Sequence, residues 1–173
     1  AGAWPGPAQL HVTAMEPRPH LDELVPDADT KVPFVSDYLL FLLAATSAAA
    51  SEEFHAAVRA RGLRVTEWRV LACLHDRDGQ MVTRLAGPAM MEQSRLTRVI
   101  DQMDERGLVA RRSDRRDRRR VRVFLTPDGA ALAEEMVARA REHEARVLAS
   151  LQEGEGLELK RMLRSVYRQL SEG

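Results

Sequence analysis

The stretch Val82–Thr126 reads VTRLAGPAMMEQSRLTRVIDQMDERGLVARRSDRRDRRRVRVFLT. The period of its apolar positions changes from near 3.6 to near two along its length, so two short helices give way to a strand, a loop packed with arginine and a second strand. In the second helix, predicted over about Glu92–Arg106, Leu96, Val99, Ile100 and Met103 recur at steps of three, one and three. They form a single apolar stripe that faces a core. Gly107 stands where a helix ends on a left-handed residue, and Leu108–Ser113 begins an extended run. In VRVFL, Val121 and Val123 alternate with Arg122 before the apolar pair Phe124 and Leu125, the pattern of a half-buried strand.

The polar residues left over are of particular types. Gln93, Ser94, Arg95, Thr97 and Arg98 lie off or beside the apolar stripe, near the N-terminal end of the second helix. Arg bridges guanine O6 and N7 in a major groove, Gln pairs with adenine, and Ser or Thr reaches bases or phosphates. A solvated helix face is the plainer reading of any one of them alone. The loop adds a second signal. Asp114–Arg120 is DRRDRRR, five arginines in seven positions, which repel one another unless acids or phosphates sit among them. Asp114 and Asp117 are expected to shape the loop through carboxylate–guanidinium pairs. Arg115, Arg116, Arg118 and Arg119 then suit a narrow minor groove, where negative potential is enhanced. Helix pair and basic hairpin together read as a winged helix-turn-helix, and the fold class as mainly α with a small β-hairpin.

Outward from this stretch the chain is helical. Phe34 to about Arg61 is predicted as one long helix, with Val35, Leu39, Leu42, Thr46, Ala49 and Phe54 at rough helical spacing and Gly62 as its stop. Thr66 is read as the cap of a helix to about Asp76, with Trp68, Leu71 and Leu74 inward. Val82 to about Met90 is the first helix of the pair, although Gly87 and Pro88 depart from an ideal helix. After the hairpin, Thr126 caps and Pro127 takes the first position of a helix to about Leu151. A break at Gly154 and Gly156 precedes a last helix in which Leu159, Met162, Leu163, Val166, Tyr167 and Leu170 form an apolar face. One small domain can hardly cover three such amphipathic helices, and a shared interface between two copies is the economical solution. The expected organisation is a Pro-rich arm over 1–33, a helical dimerisation region over 34–62 and 127–173, and a DNA-binding lobe over 63–126. A two-fold dimer reads a pseudo-palindrome with half-sites about 10 bp apart, and occlusion of a promoter is the expected act.

Charge supports this placement. The chain of 173 residues carries no net charge, but Val82–Arg122 holds 12 Arg against 6 Asp and Glu, an excess of six that the rest of the chain offsets. The basic residues are thus gathered on the DNA-reading part. Residues 1–33 hold six of the eight prolines and five acids against two bases, which predicts an extended arm; Trp4 and Leu10 are its candidate anchors on a partner subunit. Met15 is a candidate translational start, which would make residues 1–14 an extension without a role. A single cysteine, Cys73, excludes an intrachain disulfide framework. With no apolar run of eighteen residues and no basic-then-apolar start, neither a membrane span nor a secretory signal is predicted, and the expected location is cytoplasmic.

TEWRVLACL at 66–74, SRLTRVIDQMDERGLVARR at 94–112, DRRDRRR at 114–120 and LTPDGAAL at 125–132 together resemble the MarR (multiple antibiotic resistance regulator) family of bacterial transcription regulators. Asp114, Arg116, Asp117 and Arg119 match the family's D-x-R-D-x-R pattern position for position. The resemblance implies a homodimer built from the terminal helices, binding to double-stranded DNA, and release by a small aromatic or phenolic ligand in a cleft between the dimer helices and the DNA-reading lobe. His55, Trp68 and Arg69 are the candidates for that cleft, Arg for a carboxylate and Trp for a ring face; core packing for Trp68 and surface pairing for Arg69 are the plainer readings.

Other classes find less support. The five histidines show no HExxH pair and no Cys/His metal spacing, and no phosphate-cradling glycine loop is present, so neither an enzyme nor a cofactor is expected. Cys73 lies on the inner side of a predicted helix, which favours a structural thiol over a redox sensor. A helical protein-interaction module whose basic hairpin docks on an acidic protein is the alternative to a DNA-binding repressor.

Overall fold

The computed structural model describes residues 34–114 and 120–172. The Pro-rich arm, with Trp4 and Leu10, and the loop residues Arg115, Arg116, Asp117, Arg118 and Arg119 lie outside the described residues. The chain divides into two compact units, Ala1–Ala48 and Ala49–Gly173.

The first unit contains α1 (Phe34–Asp37) and the start of α2 (Leu39–Ala60). The single long helix expected here is broken at Tyr38. Its N–H donates three residues back, to the Val35 carbonyl at 3.4 Å, which interrupts the i→i−4 ladder, and its ring stacks on Phe34 at 5.1 Å. Phe34, Val35, Leu39, Leu40, Leu42 and Leu43 are all exposed.

The second unit is built around one apolar core. Beyond the end of α2 follow α3 (Val65–Asp76), β1 (Gln80–Met81), α4 (Val82–Leu85), α5 (Gln93–Glu105), β2 (Val109–Ser113), β3 (Val121–Leu125), α6 (Pro127–Leu148) and α7 (Glu155–Glu172). The strands form an antiparallel sheet in the order β1-β3-β2. The expected hairpin is therefore a three-stranded sheet, and β1, two residues long, offers too short a run for any period to be read. The core joins Val58 of α2, Val70, Leu71 and Leu74 of α3, Leu85, the α5 stripe, Val109, Val123, and Ala133 and Met136 of α6. Leu96, Ile100 and Met103 are fully buried, each stabilising the fold by about 2 kcal/mol.

Helix ends show why the boundaries fall where they do. Helix α3 starts one residue before the expected cap: Arg64 is the N-cap, and the Glu67 carboxylate accepts its N–H at 2.7 Å. Thr126 caps α6, its hydroxyl oxygen accepting from the Gly129 N–H at 3.0 Å. Helices α2 and α5 and the turn that follows α4 close with the same paired bonds, an N–H returning to a carbonyl five residues back. Leu63 bonds to Val58, Leu108 to Met103 and Met91 to Ala86, at 3.2, 2.9 and 3.0 Å. The left-handed residue is Gly62 in the first and Gly107 in the second.

In the third it is Met90, at φ 53°. The first helix of the pair, expected to reach Met90, stops at Leu85: Pro88 has no N–H to donate back to Arg84, and a turn in which the Ala89 N–H donates to the Leu85 carbonyl at 2.9 Å then closes on Met90. A side chain in this conformation costs about 1 kcal/mol. Met90→Gly is expected to raise unfolding free energy by about 1 kcal/mol, read from urea denaturation, since the exposed Met90 side chain contributes little packing. No gain would mean the turn holds no strain.

Candidate nucleic-acid interface

Helix α5 begins on Glu92, whose carboxylate accepts from the backbone N–H of Ser94 at 3.0 Å and of Arg95 at 3.2 Å. The Ser94 hydroxyl also donates to it. These bonds hold the Glu92 carboxyl below its ordinary range, the Ser94 hydroxyl contributing most. With Leu96, Val99, Ile100 and Met103 turned into the core, Gln93, Ser94, Arg95 and Arg98 are exposed together on the opposite side. Thr97 is half-buried, and its hydroxyl donates to the Gln93 carbonyl at 3.0 Å. The five predicted residues thus share one end of one helix, three of them with free long or polar tips and Ser94 engaged by its cap.

The sheet stands beside this helix. Register pairs Val109 with Leu125 and Ser113 with Val121, so Val109, Arg111 and Ser113 share a face with the buried Val123. Arg111 on that face pairs with Asp101 of α5. The opposite face carries Arg112, Arg122 and Phe124, with the Arg112 guanidinium 4.9 Å over the Phe124 ring. Asp114 is buried at the root of the wing. Its N–H donates to the Arg120 carbonyl at 2.8 Å, closing the loop, and its carboxylate accepts from Arg122. Arg122 reaches on to the Gly79 carbonyl at 2.9 Å. Asp114, expected to shape the loop, braces the loop's base against β3 and the α3–β1 turn.

Between helix and sheet lies an open groove of about 610 Å³, lined by Thr83, Arg84, Gln93, Thr97, Arg111 and Arg120 among others. Sequence reasoning passed over Thr83, Arg84 and Arg111. A strand pattern assigns Arg111 to a face, but only the packing of α4 and β2 on either side of α5 brings these residues to one groove.

The residues considered for a ligand lie on α2 and α3. His55, Trp68 and Arg69 are each half-buried. Trp68 packs on the core and meets Phe54 edge-on at 5.3 Å. Burial first, then the charges of Arg59 and Arg69, lower the His55 pKa. Cys73 is half-buried on α3, and burial, then Asp76, pushes its thiol up, which disfavours the reactive thiolate. Among the described residues no helix is long and apolar enough to cross a membrane.

A helix pair joined by a tight turn, with its second helix exposed along one side and a basic strand hairpin next to it, defines a winged helix-turn-helix protein. The model of the MarR family matches residues 63–121. The crystal structure of a MarR family transcriptional regulator from Silicibacter pomeroyi is 56% identical, with a TM-score of 0.72 over 80% of this chain and 98% of that one. The HTH-type transcriptional repressor Rv2887 of Mycobacterium tuberculosis is 32% identical over 123 residues, 71% of this chain and 88% of its own length. A crystal structure of Rv2887 in complex with salicylic acid superposes with a TM-score of 0.60, covering 74% of this chain and 95% of that one at 32% identity. The chain belongs to the MarR family and is a transcriptional regulator of that family.

Proposed function

We propose that the protein is a homodimeric repressor that reads a pseudo-palindromic operator with α5, clamps the flanking minor groove with its arginine wing, and is released by a small aromatic acid. The observation that carries this reading is the exposed cluster of Gln93, Arg95 and Arg98 at the start of a helix whose other side is fully buried. Such a helix end enters a major groove without any loss of core contact. Residues 63–126 act as the DNA-binding lobe, and 34–62 with 127–173 as the dimerisation region. The exposed apolar residues of α1 and α2 support the dimer, as do Leu159, Met162, Leu163, Val166 and Tyr167 along α7. Such rows on a water-facing surface mark an interaction site, and a second copy of the same chain satisfies both under two-fold symmetry. The salicylic acid complex of Rv2887 supports an aromatic acid as ligand, with Arg69 for its carboxylate and Trp68 and His55 beside its ring.

The test is fluorescence anisotropy with duplexes selected by the protein from a random pool, against scrambled duplexes at two salt concentrations, with salicylate added as the first probe of release. Arg98→Ala and Arg95→Ala are expected to cost about 1 to 3 kcal/mol at particular base pairs and to relax preference there. Arg116→Ala and Arg119→Ala should instead weaken binding to every duplex and lower the salt slope by about 1 each. Equal effects of both pairs on all duplexes would leave a basic surface without sequence reading. Failure to select any duplex would overturn the assignment.

A further inference from the structure

The C-terminal end of α5 is held by a carboxylate with no part in touching DNA. Glu67, in the first turn of α3, is fully buried. One of its oxygens accepts the Arg64 backbone N–H at 2.7 Å. The other accepts from the Arg64 guanidinium at 2.7 Å and from Arg106, the residue that ends α5, at 2.8 Å. Each arginine also makes a second bond across the junction. Arg64 donates to the Gln102 side-chain oxygen on α5 at 2.6 Å, and Arg106 to the Gly62 carbonyl, at the end of α2, at 3.0 Å. Burial alone would raise the Glu67 carboxyl, but the hydrogen bonds from Arg64 and Arg106 together with the Arg106 charge outweigh it and bring it below its ordinary value. It is therefore an ion shared by two guanidiniums whose outer parts face water.

This junction restrains α5 differently from its apolar stripe. Leu96, Ile100 and Met103 pack without directional preference, so a small pivot of the helix costs them little. A buried carboxylate left short of a partner is strongly destabilising, which makes the Arg106 position a discrete one. The distance matters as well. Arg106 lies about 20 Å from Gln93 along the helix at 1.5 Å per residue, so a pivot of a few degrees at Arg106 displaces the base-reading end by about 1 Å. Hydrogen bonds to base edges fail over a few tenths of an ångström, whereas long arginines follow a phosphate through such a shift.

We propose that Glu67 is a positioning residue for sequence recognition: by holding Arg64 and Arg106 together it sets the angle at which α5 presents Gln93–Arg98. It acts on discrimination between DNA sequences and leaves general DNA affinity alone. This rests on the assignment of α5 as the DNA-reading helix.

The experiment uses the full chain as wild type, Glu67→Gln, Arg106→Gln and the double variant, with a duplex selected by the wild type and a scrambled duplex of equal composition. Glu67→Gln is expected to weaken binding to the selected duplex at least about 10-fold, to change binding to the scrambled duplex less than about 2-fold, and to leave the salt slope unchanged. Arg106→Gln should reproduce this loss, and the double variant should add little, because both substitutions open the same junction. Equal loss on both duplexes, or a lower melting temperature with discrimination intact, overturns the proposal. Should Glu67→Gln fail to fold by circular dichroism, Arg106→Gln, whose side chain is 44% exposed, decides by the same criteria. Failure of the wild type to select any duplex would instead overturn the DNA-reading assignment and this proposal with it.

Discussion

Gly129→Ala is expected to destabilise the protein by about 3 kcal/mol, a fall in melting temperature of about 10 °C for a chain of this size. Gly129 is the third residue of α6 and is fully enclosed. A Cβ added there would lie 1.8 Å from the Leu108 carbonyl oxygen and 2.8 Å from its carbon. Both are backbone atoms, so no rotamer change relieves the clash. Leu108 has nowhere to retreat. Its N–H donates to the Met103 carbonyl at 2.9 Å, which closes α5, and its carbonyl accepts the Thr126 N–H at 3.2 Å. Thr126 ties the same place from the other side, its hydroxyl donating to the Gly107 carbonyl at 2.6 Å while accepting from Gly129. Helix α6 must therefore lift away from the end of α5, breaking several of these bonds together. Thermal and urea denaturation followed by circular dichroism measures the effect, and an alanine variant within about 0.5 kcal/mol of wild type would show that the close approach is relaxed in solution.

The second large effect is expected on α7. Leu163→Glu and Val166→Glu place charges on a helix face that the chain itself leaves open to water, so the secondary structure of the chain should survive, and if the proposed dimer forms through this face it is the dimer that they test. Association should then be lost. A carboxylate buried without a partner in an apolar interface costs several kcal/mol, enough to turn a dimer at micromolar concentration into monomers. A single reading head retains only about the affinity of its own half-site, so binding to the selected duplex should fall by about 10³-fold, toward the level of non-specific DNA. Light scattering gives the mass and anisotropy the affinity. A variant that remains dimeric, or a monomer that binds the selected duplex as tightly as wild type, would place the dimer interface elsewhere or remove the need for it.

These two effects differ in how far the sequence announces them. The apolar row of α7 is legible as a helical period whatever it packs against. Gly129 carries no such signal: a glycine in the first turn of a helix reads as a tolerated weakness, and only the carbonyl of Leu108, brought up from the other side of the wing, explains it. The candidate site divides in the same way. Gln93, Arg95 and Arg98 follow from their offset to the Leu96–Ile100 stripe. The groove residues Thr83 and Arg84 of α4 and Arg111 of β2 meet only when these two elements pack beside α5.

The sequence by itself determined the helix Gln93–Glu105 almost to the residue, the strands on either side of the arginine loop, the left-handed turns at Gly62 and Gly107, and the cap at Thr126. Each depends on interactions within a few residues, where side-chain period and backbone preference are sufficient. Tertiary structure alone decided the pairing of β1 with β3, the brace from Asp114 through Arg122 to Gly79, and the junction of Glu67 with Arg106. Glu67 and Arg106 are 39 positions apart, and Arg122 and Gly79 are 43. A carboxylate and a guanidinium so far apart carry no mutual trace in spacing or composition; the apolar core must first bring α3 against α5 and β3 against β1 before their charges can meet.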